Sequence, residues 1–338
     1  MHGNTDKSVT VLTGGVGGAR YLTGQISVTP PTKITAVVNI ADDATLHGLH
    51  ISPDIDTVIY TLAGMADTER GWGLAGDTWH TINELRTLGV DAWFNLGDRD
   101  IGTHLFRTSL LRQGLSLSEV TVRLAKARGL DCNVLPVSND PVQTKIILAS
   151  GKEIDFQEYF VRLSHNVAIA GVRFAGIKQA RPAPGVLAAI NNADLVVIAP
   201  SNPVVSIDPI LSIPEIFDTL SKRREYTIAI SPIISGKALK GPADRMMREL
   251  GEDATVTGVA SRYRRIAKTL VIDTKDSCLS SAVEKAGMEV IVAPTIMRST
   301  KAAANLVRCV MTASETKNSQ TVQARFRPVR NNAQPLPE

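Results

Sequence analysis

Four glycines follow a short β-branched run near the start of the chain, in the segment Val-Thr-Val-Leu-Thr-Gly-Gly-Val-Gly-Gly-Ala-Arg at residues 9–20. A strand that ends in a glycine-rich turn and enters a helix presents backbone N–H groups at the positive end of the helix dipole, where a phosphate or diphosphate binds. The residues predicted to contact such an anion are Gly14, Gly15, Gly17, Gly18 and Arg20. The alternative is a tight turn that only lets a helix pack closely on a strand, because the segment matches neither the P-loop nor the G-x-G-x-x-G pattern.

Four aspartates lie on one fifteen-residue segment downstream of the glycine turn: Asp42, Asp43, Asp54 and Asp56. Each of them taken singly is typical of a turn or a helix cap. Magnesium prefers hard oxygen ligands and usually takes one or two carboxylates together with substrate phosphates. The combination of glycine turn and carboxylates therefore predicts a magnesium site and nucleotide or phosphoryl chemistry.

A second charged cluster, Leu-Gly-Asp-Arg-Asp at 96–100, places Asp98 and Asp100 on either side of Arg99. This arrangement is equally typical of an internal salt-bridge turn and of an anion clamp whose arginine is oriented by its acids. Both interpretations remain open at the level of sequence.

Polar residues also follow two apolar strand-like segments later in the chain. Pro200 begins a Pro-Ser-Asn-Pro loop in which Ser201 and Asn202, with Ser206 beyond it, could contact a purine edge or a phosphate oxygen. A simple double-proline turn is the alternative. Lys237, which ends the segment Ser-Pro-Ile-Ile-Ser-Gly-Lys, is a candidate for neutralising phosphate charge.

The bulk properties exclude several classes of protein. The chain has 338 residues, a formal net charge of +4 and three widely spaced cysteines, which argues against a disulfide framework and a structural zinc site. No basic face indicates nucleic-acid binding, and no apolar run reaches the roughly 18–20 residues of a membrane helix. Without a G-x-S-x-G elbow or a catalytic cysteine context, covalent nucleophilic catalysis is not indicated. We expect a cytoplasmic enzyme with no nucleic-acid or membrane partner.

Apolar strand-like segments alternate with helical ones, which predicts an α/β fold with a Rossmann-like, mostly parallel sheet flanked by helices. We expect one domain over residues 8–315, a flexible N-terminus over 1–7 and a disordered tail over 316–338. Residues 101–190, helical and then hairpin-like, are expected to form an inserted helical and hairpin cap. The predicted strands are 8–13, 33–39, 92–96, 132–136, 143–149, 194–199, 226–230, 269–273 and 289–292.

Six segments, taken in order, resemble the 2-phospho-L-lactate transferase family, whose actinobacterial members are the phosphoenolpyruvate transferases of coenzyme F-420 biosynthesis. The resemblance covers about residues 9–310. The segments that carry it are 14–20, 37–43, 52–57, 96–100, 199–207 and 231–237.

The resemblance implies a Rossmann-like fold and a magnesium-dependent transfer from a guanosine diphosphate-linked three-carbon acid, enolpyruvyl or lactyl. The acceptor is the ribityl hydroxyl of the deazaflavin Fo, and GMP leaves. The form of the glycine turn favours the enolpyruvyl donor. A homodimer is expected for this fold. The alternative function is a nucleotide-sugar-binding regulator of the gluconeogenesis-factor type, with a similar glycine turn but no turnover.

The resemblance implies that the acids at 42, 43, 54 and 56 serve the metal and the acceptor, and the residue types suggest more specific roles. Asp42, Asp43 and Asp54 are the candidate metal ligands, and Asp56 is the candidate acceptor of the hydroxyl proton and a substrate contact. Asp98 and Arg99 are the other candidate catalytic residues. The position before Leu-Gly-Asp-Arg-Asp is often basic in relatives and is thought to lie near the deazaflavin, and here it is Asn95.

Overall fold

A computed structural model describes the backbone of residues 6–325 and the side chains of residues 6–315. Its strands are β1 (Val9–Thr13), β2 (Ile34–Val38), β3 (Ala44–Leu46), β4 (Leu49–Ile51), β5 (Asn133–Pro136), β6 (Gln143–Leu148), β7 (Glu153–Asp155), β8 (Ile169–Ala175), β9 (Leu195–Ile198), β10 (Thr227–Ile230), β11 (Ile233–Ile234), β12 (Lys237–Ala238), β13 (Thr269–Ile272) and β14 (Glu289–Val292).

The α-helices are α1 (Gly15–Ile26), α2 (Pro53–Leu62), α3 (His80–Thr87), α4 (Asp98–Arg112), α5 (Leu117–Ala127), α6 (Val186–Asn192), α7 (Asp208–Leu211), α8 (Pro214–Lys222), α9 (Ala243–Glu249), α10 (Val256–Tyr263), α11 (Ser280–Lys285) and α12 (Thr300–Arg325). Two segments, Glu158–Arg162 and Pro203–Ile207, are single π-helical turns.

Seven strands form the central sheet in the order β14-β13-β10-β9-β1-β2-β5, and every neighbouring pair is parallel. Every residue of β1, β9, β10 and β13 is buried, as expected for strands covered on both faces. The strands that follow β1 in the chain are added first on one side of it (β2 and β5) and later on its other side (β9, β10, β13 and β14). The strand order therefore reverses at β1. Ligands of open α/β sheets bind at such a point, beyond the carboxyl ends of the strands. The predicted fold class is confirmed.

The segment 101–190 is not one inserted cap. It contains β5, which pairs with β2 at the edge of the central sheet, and α5, which packs on β5. The part that forms a separate unit is the antiparallel sheet β7-β6-β8. Local periodicity finds these elements but does not reveal that β5 returns to the main sheet, since that pairing joins residues about a hundred positions apart.

The predicted strand at 92–96 is wrong, because residues 88–97 form a loop between α3 and α4. Its apolar residues Ala92 and Leu96 are buried by side-chain packing and not by strand pairing.

At the C-terminal end of the chain, α12 continues to Arg325, ten residues into the segment predicted to be a disordered tail. Residues 1–5 and 326–338 lie outside the described residues, so the predictions for them remain predictions. Within the described part of the chain, no helix is both long and apolar enough to cross a membrane.

Candidate active site

The glycine turn joins the end of β1 to the start of α1 and is packed against the loop that follows β9. The Ser201 hydroxyl donates to the Gly14 carbonyl oxygen at 2.7 Å and accepts from the Gly14 N–H at 3.2 Å. A Cβ at Gly17 would lie 2.4 Å from the backbone oxygen of Pro200, and one at Gly18 would lie 1.8 Å from Thr13 Oγ1. Close helix–strand packing therefore accounts for Gly17 and Gly18, and Ser201 fixes the turn.

Asp54, in the first turn of α2, closes the other side of the glycine turn. Its Oδ1 accepts from the Gly15 N–H at 2.7 Å, and its Oδ2 accepts from Asn39 Nδ2 at 2.9 Å. Burial raises the pKa of Asp54 to about 6, although the bonds from Asn39 and Gly15 favour the charged form. The N–H of Gly15, predicted to bind phosphate, is thus occupied by a carboxylate in this structure. A Cβ at Gly14 would lie 2.5 Å from Asp54 Oδ2 and 2.8 Å from Ser206 Cβ, so any other residue there would displace one of these side chains.

Asp42 and Asp43 follow β2 and complete what we call the acidic cluster: Asp42, Asp43 and Asp54. Burial, together with the charges of the other two carboxylates, raises the pKa of Asp42 well above its usual range. Burial also raises the pKa of Asp43, whose Oδ2 accepts from His50 Nε2 at 2.9 Å and from the Ser52 hydroxyl at 2.8 Å. The fold therefore brings together three carboxylates that repel one another.

The acidic cluster has the donor chemistry of a magnesium site. Asp43 Oδ1 is buried and has no hydrogen-bond partner among the described residues, and the mutual repulsion of the three acids is what a cation would relieve. Across the described residues, no set of three or more His, Cys, Asp or Glu side chains is grouped so that it could hold a metal ion by itself. Magnesium does not require such a set, because it completes its shell with water and substrate oxygens.

Asp56 points into a buried polar network and not into the acidic cluster. Both of its carboxylate oxygens accept from the guanidinium of Arg107 on α4, which is fully buried. His104 Nδ1 lies 3.2 Å from Arg107 Nη1, His104 Nε2 lies 3.3 Å from Asp100 Oδ1, and Asp100 accepts from the Tyr60 hydroxyl at 2.7 Å. With both oxygens bound to Arg107, Asp56 is suited to hold α2 in place and less suited to accept a substrate proton.

Sequence reasoning gave no role to Tyr60, His104 or Arg107. The available signal was the helical spacing of polar residues in two segments, Asp56 and Tyr60 on α2 and Asp100, His104 and Arg107 on α4. This spacing places each set on one helix face.

Asp98 is a helix cap and makes no contact with the acidic cluster in this structure. It accepts from the N–H groups of His80 at 3.0 Å and Thr81 at 2.9 Å, in the first turn of α3, and from the Thr78 hydroxyl at 2.5 Å. These bonds hold the pKa of Asp98 well below its usual range. Asp77, which precedes α3, likewise accepts from the N–H groups of Arg99 and Asp100 in the first turn of α4.

The two other predicted residues of this region are also held by local bonds. The Arg99 side chain donates to the Ala75 carbonyl at 3.1 Å and is exposed. Asn95 Oδ1 accepts from Arg86 Nη2 at 2.6 Å. Among the described residues no ion pair joins Arg99 to Asp98 or Asp100, so the contacts differ from those of an internal salt-bridge turn: Asp98 caps α3 and Arg99 binds a backbone carbonyl.

The remaining predicted substrate contacts are Ser206, Asn202, Arg20 and Lys237, of which Ser206 lies against the glycine turn and Arg20 belongs to α1, which follows it. The Ser206 side chain lies beside Gly14, at 2.8 Å from the position a Cβ would take there. Asn202 Oδ1 accepts from the Val204 N–H at 3.0 Å and so caps the π-helical turn Pro203–Ile207. Within the described residues, the side chains of Arg20 and Lys237 have no ion-pair or hydrogen-bond partner, which leaves two cations available to an anion.

Comparisons with known proteins agree with this description of the fold. The family model described as 2-phospho-L-lactate transferase CofD matches residues 9–314. A crystal structure of a UPF0052 family member from Bacillus halodurans superposes with a TM-score of 0.59 at 16% identity, over 93% of this chain and 99% of that one. At that identity the likeness establishes the fold alone.

Curated relatives are similar over most of their length. A phosphoenolpyruvate transferase of Nocardia farcinica is 40% identical over 311 residues, which cover 90% of this chain and 94% of the relative. A phosphoenolpyruvate transferase of Mycolicibacterium smegmatis is 41% identical over 315 residues, with coverage of 89% and 96%. These matches cover about nine tenths of the chain and do not assign roles to single residues.

Proposed function

The chain belongs to the 2-phospho-L-lactate transferase CofD family and is a transferase, and on this basis we propose a specific reaction for it. It transfers a phosphoenolpyruvyl group from a guanosine diphosphate-linked donor to the ribityl hydroxyl of the deazaflavin Fo, releasing GMP, in coenzyme F-420 biosynthesis. The names of its relatives support the enolpyruvyl over the lactyl donor. They also favour the transferase over the regulator that the sequence left as an alternative.

The observation that carries the proposal is the contact between the acidic cluster and the glycine turn. Asp54 binds the Gly15 N–H at 2.7 Å, so the carboxylates and the start of α1 form one site. A diphosphate entering there would displace Asp54 from Gly15 and gain that N–H group and the helix dipole. Asp54 would then be free to serve as a cation ligand.

The transfer is a substitution at phosphorus. The acceptor hydroxyl oxygen forms a bond to the phosphorus that carries the three-carbon acid, and the bond from that phosphorus to the oxygen of GMP breaks. GMP leaves with the electron pair, and the hydroxyl proton passes to a carboxylate of the acidic cluster. No covalent enzyme intermediate is needed, because such transfers depend mainly on positioning and charge neutralisation.

Asp42, Asp43 and Asp54 would hold the magnesium ion. When bound, the ion neutralises charge that develops on the leaving phosphate. Arg20 and Lys237, without partners among the described residues, would neutralise the remaining negative oxygens of the diphosphate. Asp56, bound to Arg107, would keep the first turn of α2 in the position that presents Asp54.

The test is incubation with Fo and magnesium and either the enolpyruvyl or the lactyl donor, with mass spectrometry of the deazaflavin product and assay of GMP. We expect a phosphoenolpyruvyl product and one GMP per product molecule. Arg20→Ala should raise the KM of the donor about tenfold or more, because a charge-assisted hydrogen bond is lost. Lys126→Ala, an exposed cation on α5, is the matched control. Absence of GMP and of any new deazaflavin with both donors would remove the proposal.

A further inference from the structure

The hairpin formed by β3 and β4 follows Asp43 directly, and the proposed reaction gives it no role. A two-residue loop, His47 and Gly48, joins its strands. Both loop residues have positive φ angles, 51° and 76°, as the tight turns favoured in two-residue hairpins require. The register pairs the residue after Asp43 with Ile51. The chain therefore reverses at once, and the end of the hairpin returns beside Asp43.

The returning end of the hairpin supplies two donors to a single oxygen of Asp43. His50 Nε2 lies 2.9 Å from Asp43 Oδ2, and the Ser52 hydroxyl donates to the same oxygen at 2.8 Å. Because a carboxylate only accepts, the hydrogen of the first bond is on His50 Nε2. The Asp43 N–H donates to the Ile40 carbonyl oxygen at 2.9 Å. These bonds fix the backbone of Asp43 and the orientation of its carboxylate.

The Ser52 hydroxyl contacts Asp43 at the expense of a helix cap. Ser52 immediately precedes α2, a position where a serine oxygen ordinarily accepts from an N–H group of the first helical turn. Within the described part of the chain, the Ser52 side chain accepts no such bond. The residue is fully buried, and its hydroxyl is directed to Asp43. This arrangement favours a role in the acidic cluster over a role in starting the helix.

The two donors leave Asp43 with one free oxygen. Asp43 Oδ1 is the carboxylate oxygen of the acidic cluster that is buried without a hydrogen-bond partner among the described residues. Both oxygens of Asp54 are occupied, by Gly15 and Asn39, and Asp42 Oδ1 accepts from a threonine hydroxyl at 3.3 Å. A cation can therefore bind Asp43 Oδ1 without breaking a hydrogen bond.

The hairpin is held on α4 by bonds that do not involve the ring of His50. The His50 N–H donates to the Thr108 hydroxyl oxygen at 2.8 Å, and its carbonyl accepts from Arg107 at 3.3 Å. Arg112 donates to the Gly48 carbonyl at 3.2 Å. The side chain of His50 is 31% exposed. It can thus be replaced while the contacts that anchor the hairpin remain.

We propose that His50 and Ser52 position Asp43 so that its Oδ1 alone binds the magnesium ion. The inference rests on the proposed function and deepens it, because it names the oxygen that binds the ion and the residues that hold it. Magnesium demands near-ideal octahedral geometry, so a carboxylate already held in one orientation loses less freedom on binding. Hydrogen bonds to a metal ligand act in this way, and their loss typically weakens metal binding by about 10–100-fold. Both residues act through Asp43 and are positioning residues.

The experiment measures binding of Mn²⁺, which suits the same oxygen ligands as Mg²⁺, with guanosine diphosphate present to supply phosphate oxygens. The electron paramagnetic resonance signal of the free ion gives the Kd without any turnover. His50→Leu should raise this Kd about tenfold or more, and Ser52→Ala should raise it by a smaller factor. His50→Gln keeps an N–H donor at the end of the side chain and should stay within about threefold of wild type. His47→Asn is the matched control, since His47 is an exposed histidine of the same hairpin and asparagine tolerates its positive φ.

The pattern among the variants separates positioning from a general effect on the hairpin. Weaker binding in His50→Leu with near-normal binding in His50→Gln supports the inference. Equal weakening in these two variants, or in the control His47→Asn, would overturn it, because the hydrogen bond to Asp43 would then not be the cause. An unchanged Kd in both His50→Leu and Ser52→Ala would also overturn it. If His50→Leu does not fold, Ser52→Ala decides, since it removes only a hydroxyl.

The same titration separates this inference from the proposed reaction. If wild type binds Mn²⁺ and the variants weaken binding as expected, but no GMP is released in the assay, the reaction is removed and the inference stands. If wild type binds no Mn²⁺ in the presence of guanosine diphosphate, the magnesium site and this inference are both overturned.

Discussion

The guanidinium of Arg107 donates to both carboxylate oxygens of Asp56, although 51 positions separate the two residues in the chain. Arg107 is fully buried, and the side chain of Asp56 is only 7% exposed. The pair joins α4 to the first turn of α2, two residues after Asp54. The position of Asp54, a member of the acidic cluster, therefore depends on a buried ion pair in the same helical turn.

Arg107→Met should destabilise the protein strongly. It leaves the carboxylate of Asp56 buried without its counter-charge, which costs about 3–5 kcal/mol in the free energy of unfolding. Urea denaturation measures the loss. The double variant Asp56→Leu with Arg107→Met removes both charges of the pair and should recover much of the loss. Asp43 and Asp100, whose charged forms Arg107 also favours, keep His50 and His104 as partners. Losses that simply add in the double variant would contradict the assigned pairing.

The charge of Asp54 can be separated from its hydrogen bonds by exchanging it with Asn39. Both oxygens of Asp54 accept from N–H groups, those of Gly15 and Asn39, so Asp54→Asn leaves one donor unpaired. We expect the unpaired donor to cost about 1–3 kcal/mol of stability, offset in part because the variant removes the buried charge whose pKa the fold raises. The exchange Asn39→Asp with Asp54→Asn restores an acceptor for the Gly15 N–H and a hydrogen bond between positions 39 and 54. It leaves the Val205 carbonyl oxygen without the donor that Asn39 supplies, so it should recover only part of the loss.

Turnover should fail in both the single variant and the exchanged one, because the carboxylate no longer stands where the magnesium ion and the diphosphate are proposed to bind. Thermal midpoints with and without magnesium, together with GMP release, provide the measurement. Wild-type turnover in the exchanged variant would show that the location of the charge does not matter.

Gly17→Ala and Gly102→Ala should have opposite effects on stability. A Cβ at Gly17 would lie 2.4 Å from the Pro200 carbonyl oxygen, so the helix or the loop must move, at a cost of about 1–3 kcal/mol. A Cβ at Gly102, inside α4, meets nothing within 4 Å, and alanine there should stabilise the helix by about 1 kcal/mol. Thermal unfolding of the two variants is the test, and equal midpoints would refute the close approach at Gly17.

Asp98→Asn should lower the thermal midpoint at pH 7 by an amount that shrinks in acid. The caps on α3 hold the pKa of Asp98 below its value in the unfolded chain. Stability from such a carboxylate is present above the unfolded pKa of about 4 and is lost as the pH falls toward the folded one. The measurement is the difference in thermal midpoint between wild type and variant, at pH 7 and again at about pH 3. Asp131→Asn is the control, because Asp131 is an exposed acid after α5. If the difference in midpoint for Asp98→Asn does not become smaller at low pH, the capping role is disproved.

Local sequence determined the main elements of the fold. The glycines at 14–18 follow a β-branched run, and the structure places a strand, a turn and a helix there. The continuous apolar runs at 195–198 and 269–272 are buried parallel strands. Such elements follow from φ/ψ freedom and apolar periodicity, which depend on neighbouring residues only. The same information predicted a strand at 92–96, where no pairing partner is available.

Only the tertiary structure decided what each polar side chain contacts. Asp98 caps α3 from 17 or 18 positions away, and Asp56 binds Arg107 across 51. Gln157 donates to the backbone oxygen of Asp42, 115 positions earlier in the chain. Residue type fixes which bonds a carboxylate or a ring can make, whereas the choice among partners depends on distance, burial and neighbouring charge. Those quantities exist only once the strands have paired and the loops at their carboxyl ends have been brought together.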